Sequence, residues 1–386
     1  MIAYKFRIYP NAEQEDKLNF ALDICRYVYN SLLGELQSQA KIDRAKIQHK
    51  IVELKKIHPV MRDVYSKTLQ YECYRLFSNL SALRVLKRNG KKVGRLRFKS
   101  RGWFKTINYN QSGFSLKETG KRFDILSLSK IGDIKILKHR EIEGKLKQIC
   151  IKKSVDKWYA ILITDAERKL QNGDKILGLD LGINHFIADS EGNFVEHPRN
   201  IARFEKKLKQ AQRELSRKKR GSHNRYKAKQ KLAKIHEKIE NCRNDFLHKL
   251  TTELVRKCKI IVVEDLHIKE MMQTSYNAKN MADASWGKFL LMLEQKVEST
   301  TAQLIKINPK NTTKTCSSCG KLHNMPLYKR QMKCDCGLDI NRDTNSAINI
   351  LKEGYIIGQD LSFVEKKPLL SSEQVFSVKQ EAHTYL

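Results

Sequence analysis

The sequence is short of negative charge. Forty-two acidic residues face 75 Lys and Arg, a formal net charge of +33 over 386 residues. Such an excess repels itself and points to a large polyanion as partner. Long apolar runs are also missing. None approaches the roughly 20 residues of a spanning helix, which sets a membrane partner aside. The opening MIAYKFRIYP has no apolar signal segment, so a soluble intracellular protein bound to nucleic acid is expected. The nine cysteines are an odd number, which argues against a disulfide scaffold. Cys25, Cys73, Cys150, Cys242 and Cys258 sit among apolar neighbours, as small buried hydrophobes in a reducing compartment do. What the chain does have is 40% hydrophobic residues and enough length for two or three domains with real cores.

YKFRIYP alternates and reads as a strand ended by Pro10. Asn11 with Gln14 makes a capping box for a helix carrying Leu18, Leu22, Cys25, Val28, Tyr29, Leu32 and Leu36 at helical spacing. Further helices are expected near 44–57 and 61–88. Residues 91–172 change to short alternating runs (GRLRFKSRGWFKTINY, FDILSLS, GDIKILK, KQICIKK, WYAILIT) and read as an antiparallel barrel or sandwich. The first strand would join it, making the helices an insertion. From 175 the order becomes strand meander, long basic helices, strand (259–266), helix (286–298), strand (302–309), cysteine cluster and short helix (343–352). That is an α/β order, the one of a ribonuclease H-like fold.

ILGLDLGINHFIAD places Asp180 at the centre of an apolar run, flanked by Gly178 and Gly182, which let something approach the backbone. A lone carboxylate there is costly without a cation or donor. Glu264 ends the apolar strand IIVVE, and Asp343 opens the helix of Ala347, Ile348, Ile350 and Leu351. In a ribonuclease H-like arrangement these three acids meet at one sheet edge. Their mutual repulsion is relieved by a pair of Mg²⁺ ions, which can activate a water and stabilise the leaving oxygen of a phosphodiester. Among neighbouring acids, Asp189 reads as a turn residue, Asp265 as pointing away from Glu264, and Asp339 and Asn341 as helix caps.

CSSCG and CDCG give Cys316, Cys319, Cys334 and Cys336 as two knuckles with fourteen residues between, each followed by Gly. Four thiolates so spaced suit a closed, structural Zn²⁺ site, with His323 as a substitute ligand. Residues 199–249 hold 18 Lys or Arg against 5 acids, densest around Lys218, Lys219, Arg220, Arg225 and Lys227. They read as two helices joined at RGSHN, with either a phosphate-binding surface or a merely solvated charged face. Trp103, set among basic residues, could stack a base or pack in a β core.

Together these residues resemble TnpB, the transposon-encoded RNA-guided nuclease family related to type V CRISPR effectors. YKFRIYPNAEQEDKLNFALDICRYVYN is similar to the family's N-terminus. GLDLGIN, VVEDL and RDTNSAINI are similar to its three RuvC motifs. LSRKKRGSHNR, NDFLHKLT, SWGKFLLMLEQK and NPKNTTKTCSSCG also have its character, so the resemblance covers most of the chain. It implies an α+β multidomain protein. A wedge β-barrel would comprise 1–10 and 91–172, with a helical recognition domain inserted at 11–90. A RuvC nuclease domain would comprise 173–308 and 338–360, interrupted by a zinc-binding target-nucleic-acid module at 309–337 and followed by a flexible tail at 361–386.

The resemblance also implies catalysis by Asp180, Glu264 and Asp343 on two Mg²⁺, with Zn²⁺ on the four cysteines. The partners would be a guide RNA from the transposon end and double-stranded target DNA, and the setting the cytoplasm of a bacterial or archaeal cell. A monomer is the expected state. Asn341 stands where many relatives have Asp, and the second Asp of that motif, Asp343, is the expected ligand. Two competing readings are a nuclease-inactive RNA-guided DNA-binding regulator and a guide-independent transposase or resolvase.

Overall fold

In the computed structural model, which describes residues 1–360 except 40, 168–169, 275–277 and 327, the chain divides into two compact units. One is Met1–Glu167 and the other begins at residue 168. The expected tail, 361–386, lies outside the described residues.

In the first unit, Ile2–Tyr9 (β1) alternates buried and exposed positions, with Tyr4, Phe6 and Ile8 turned inward. Asn11 and Gln14 exchange side-chain and backbone hydrogen bonds in a capping box that starts Ala12–Ser38 (α1). Asp43 caps Arg44–Ile57 (α2), which stops before Pro59, and Ser66–Arg88 (α3) follows. The strands Thr106–Asn110 (β2), Phe114–Lys117 (β3), Asp124–Leu128 (β4), Gly132–Leu137 (β5), Leu146–Ser154 (β6) and Lys157–Thr164 (β7) come next. All join β1 in one antiparallel sheet of order β2-β6-β7-β1-β5-β4-β3.

β1 lies in the middle of that sheet, Phe6 level with Ala160 of β7 and Ile8 with Ile136 of β5. The three helices therefore interrupt a sheet whose other strands all follow them. Among the described residues no pairing joins the outer strands β2 and β3, so the sheet is open where a closed barrel was one expectation. Residues 91–105, expected to begin a strand, form none. Part of their backbone is satisfied by a side chain instead: Asn30 on α1 donates to Lys99 O at 2.9 Å and accepts from Lys99 N at 2.8 Å.

The second unit is built on Lys175–Asp180 (β8), His185–Asp189 (β9) and Phe194–Glu196 (β10), an antiparallel meander. Asn200–Ser216 (α4) and His223–Lys257 (α5) lead to Cys258–Glu264 (β11). Ile268–Thr274 (α6), Ala278–Ala284 (α7) and Trp286–Val297 (α8) lead to Gln303–Ile307 (β12). The hairpin Gln331–Lys333 (β13) and Asp339–Asn341 (β14) then runs into Arg342–Asp360 (α9). The sheet order is β10-β9-β8-β11-β12, with β11 parallel to both of its neighbours.

Strand alternation divides this sheet's faces. Leu177, Leu179, Ile261 and Val263 pack with Leu247, Leu250 and Leu254 of α5 and Phe289 and Leu293 of α8. On the other face Val262, Ile305 and Ile307 pack with Ile350 of α9. Two glycines set how close α9 lies. A Cβ at Gly178 of β8 would stand 2.2 Å from Ala347 O, and one at Gly354 of α9 would stand 2.4 Å from a Val262 methyl. The partner for which Gly178 leaves room is the α9 backbone. No helix among the described residues is long and apolar enough to cross a membrane.

Candidate active site

The parallel register sets Val263 level with Leu179. The next residues, Glu264 and Asp180, therefore end two adjacent strands at the same edge. By alternation both turn to the face that α9 covers, as Val262 and Gly178 do. Asp343 lies in the first turn of α9, where Asn341 Oδ1 accepts from the Asp343 backbone N–H at 2.8 Å as an N-cap.

Asp180 feels the other two carboxyls. Burial, then the charges of Glu264 and Asp343, hold the Asp180 carboxyl well above the usual carboxylate range, and the Arg342 guanidinium and Ser346 hydroxyl offset part of that. Burial raises Glu264 as well, against the Thr312 hydroxyl, which donates to Glu264 Oε1 at 2.6 Å. Asp180 and Glu264 are 8% and 7% exposed, so the charge is largely shielded from water. Hard oxygen donors, buried and mutually repelling, fit a divalent cation such as Mg²⁺.

The neighbouring acids stand elsewhere. Asp189 accepts from the backbone N–H groups of Glu191 and Asn193 in a turn, Asp265 is exposed, and Asp339 accepts from the Gln331 side chain within its hairpin.

The four cysteines form a second donor set, with Sγ atoms all within 4.8 Å of one another. Cys316 and Cys336 sulfurs are 3.7 Å apart, and those of Cys319 and Cys334 are 3.5 Å apart. A tetrahedral ion with Zn–S bonds near 2.3 Å spaces its ligands about 3.8 Å apart, so the donor set fits zinc. Gly320 and Gly337 take φ of +78° and +90° in the two knuckle turns, which glycine adopts without strain. His323 Nε2 lies 3.1 Å from Cys334 Sγ, against the cluster, and all four cysteines converge without it. The backbone N–H of Leu338, followed by the neighbouring thiols, pushes the Cys336 thiol down to about 6.

Sequence reasoning missed the polar residues that tie the two sets together. Asn349 Nδ2 donates to Thr312 O at 2.8 Å and to Thr315 O at 2.6 Å. Asn345 donates to Thr315 O and accepts from Ser317 N, both at 2.8 Å. The two asparagines stand among other polar residues in RDTNSAIN, so nothing in the sequence pattern marked them. Of the basic residues singled out, Lys218, Lys219 and Arg220 are exposed in the link between α4 and α5, as is Lys227 near the start of α5. Arg225 instead donates to Leu215 O and Lys218 O, closing the end of α4. Trp103 is about half exposed in a turn of the first unit.

Comparison with known proteins gives concordant matches. A family model described as "Probable transposase" (OrfB of IS605) matches residues 148–275, and a "Cas12f1-like, TNB domain" model matches 286–350. A "Helix-turn-helix domain" model of the same OrfB group matches 1–43, where the structure has a strand and a helix, α1, followed by the Asp43 cap of α2. A Streptomyces pristinaespiralis protein described as "Putative RNA-guided DNA endonuclease" is 31% identical over 98% of this chain and 96% of its own length. An Escherichia coli K12 protein, "Putative RNA-guided DNA endonuclease InsQ", is 27% identical over 92% of each. In fold, the chain is similar to the protein in a Cas12f1–sgRNA–target DNA complex, with TM-score 0.52 and 15% identity over 91% of this chain and 98% of that one.

Proposed function

Because this chain belongs to the TnpB family, the OrfB group of IS605-type transposons, we propose that it is an RNA-guided DNA endonuclease that hydrolyses phosphodiesters at Asp180, Glu264 and Asp343. The observation that supports this reading most is that Asp180 and Glu264 end adjacent strands, β8 and β11, at one buried edge, where the charge of Asp343 at the start of α9 also acts on Asp180. On this reading the second unit is a RuvC, ribonuclease H-like nuclease (173–308 and 338–360) carrying a zinc-binding target-nucleic-acid module (309–337). The first unit is the wedge (1–10 and 91–172) with its helical recognition insertion (11–90).

The three acids would hold two Mg²⁺, whose chemistry is to make a water nucleophilic at neutral pH and to neutralise the leaving oxygen. The chain's own residues prepare that site. Burial, and for Asp180 also the charges of Glu264 and Asp343, incline Asp180 and Glu264 to hold their protons, so binding of a cation would displace protons. The Arg342 guanidinium adds fixed positive charge beside Asp180. The basic surface, with exposed Lys218, Lys219, Arg220 and Lys227, engages the phosphates of a guide RNA from the transposon end and of target DNA. Guide pairing with one strand beside a short duplex motif then selects the cutting site.

The test is direct. Purified protein should carry RNA, seen as a raised 260/280 nm absorbance ratio that ribonuclease lowers. Loaded with that RNA it should cut matched duplex DNA only with a divalent ion. Protein that purifies without RNA, or cuts without a guide, would return the reading to a guide-independent transposase.

A further inference from the structure

We propose that the zinc knuckle is a structural arm of the nuclease centre, with Thr312 at its root acting as a positioning residue for Glu264. The inference rests on the metal-binding reading of the three acids and assigns a role to a residue outside them.

Thr312 is buried, and its hydroxyl hydrogen can serve one acceptor. Glu264 Oε1 stands at 2.6 Å and Pro309 O at 3.3 Å, so the carboxylate takes it. A hydrogen bond to Oε1 fixes the carboxylate's orientation and leaves Oε2 as the oxygen available to a cation. Thr312 is itself held from outside the active site. Asn345 and Asn349, four residues apart on one face of α9, grip the main chain at Thr312, Thr315 and Ser317. Lys352, one turn further, donates to Ser317 O. Cys316 lies inside that gripped segment, and the same helix carries Asp343 at its first turn.

The knuckle, Glu264 and Asp343 are therefore parts of one hydrogen-bonded frame mounted on α9. Held by Cys316, Cys319, Cys334 and Cys336, a zinc ion would stiffen the support of Glu264 without touching it. Partners of this kind, one step removed from the ion, typically change metal affinity or activity about 10–100-fold when lost.

The experiment uses the full chain loaded with its RNA and reads ion binding apart from DNA cutting. Fe²⁺ with ascorbate and peroxide cuts polypeptide close to where the iron sits. Wild type should give fragments ending near residues 180, 264 and 343, suppressed by Mg²⁺. Thr312→Val keeps the shape and removes the donor. It should need about 10–100-fold more Fe²⁺ for the same fragments and a similar excess of Mg²⁺ for DNA cutting. Thr312→Ser restores the donor and should stay within about threefold of wild type. If valine disturbs folding, Thr312→Ala removes the hydroxyl without adding bulk. Equal behaviour of the Val (or Ala) and Ser variants, or no effect in either, overturns the positioning role. Absence of the three fragments in wild type instead overturns the metal-binding reading of the acids, and the positioning role with it.

Discussion

The second unit contains two sets of metal-competent side chains, built on opposite terms. The four cysteines come from two short turns within twenty-one residues, three of them half-exposed or exposed, and their sulfurs gather within 4.8 Å of one another. The three acids come from two strands and a helix far apart in sequence, Asp180 and Glu264 buried and Asp343 half-buried, and are not drawn so close together. Thiols can share protons and crowd without an ion. Ionised carboxylates cannot, because each charge opposes the next and burial opposes both, so without an ion they must hold protons instead. The cysteine set thus has the form of a closed site that a metal would complete, and the acid set that of an open one that a metal would relieve.

The largest expected effect breaks the closed site. If the knuckle holds zinc, wild type should carry about one equivalent by elemental mass spectrometry and Cys316→Ala should lose it. It should also forfeit much of the about 10–16 kcal/mol that a structural zinc contributes to local folding, read as new protease cuts within 309–341. Cuts appearing equally in β8 and β11 would show that the knuckle holds up the strands themselves and not only the support of Glu264. Next is the open site. Asp180→Ala should slow DNA cutting at least about a thousandfold, roughly 4 kcal/mol of barrier, while RNA still co-purifies. Cutting that survives would remove Asp180 from the chemistry.

How much of this was legible follows the same contrast. Asp180 and Glu264 stood out because a carboxylate ending an apolar strand breaks the pattern around it, and the strands they end were readable for the same reason. The knuckles were readable because spacing and glycines are local. Thr312, Asn345 and Asn349 were not, since polar residues in polar stretches signal nothing until docking buries them. The seven-residue helices α6 and α7 are too short for periodicity to show. Residues 91–105 alternate well enough to suggest a strand, yet Asn30 supplies hydrogen bonds that a ladder would have provided.

What holds the open site together is the close seat of α9 on β8. Gly178→Ala would drive a methyl against Ala347 O, a backbone atom of a packed helix that cannot swing aside. A loss of about 3 kcal/mol follows, or roughly 6–10 °C in the melting of this unit. Gly287→Ala is the control. Its new methyl would meet Ile268 at 3.8 Å, ordinary contact, so within α8 it should raise stability by about 0.5–1 kcal/mol. Similar losses from both would mean that α9 is not seated by Gly178.

The smallest effect tests the electrostatic half of the comparison. Asp180 and Glu264 hold their protons more tightly folded than unfolded. The folded state therefore binds more protons as pH rises from the ordinary carboxylate range toward their raised values, and stability falls across that window. In chelated, metal-free protein the second unit should melt lower at neutral pH than at mildly acidic pH, and Mg²⁺ should remove the difference by binding the ionised acids. Asp180→Asn deletes the central charge, so it should abolish most of the slope. It should also stabilise the metal-free protein at neutral pH by about 1–2 kcal/mol, roughly 3–6 °C, although it no longer cuts. A variant that melts lower than wild type at every pH would mean that Asp180 supports the fold, and that its burial is not strain held for an ion.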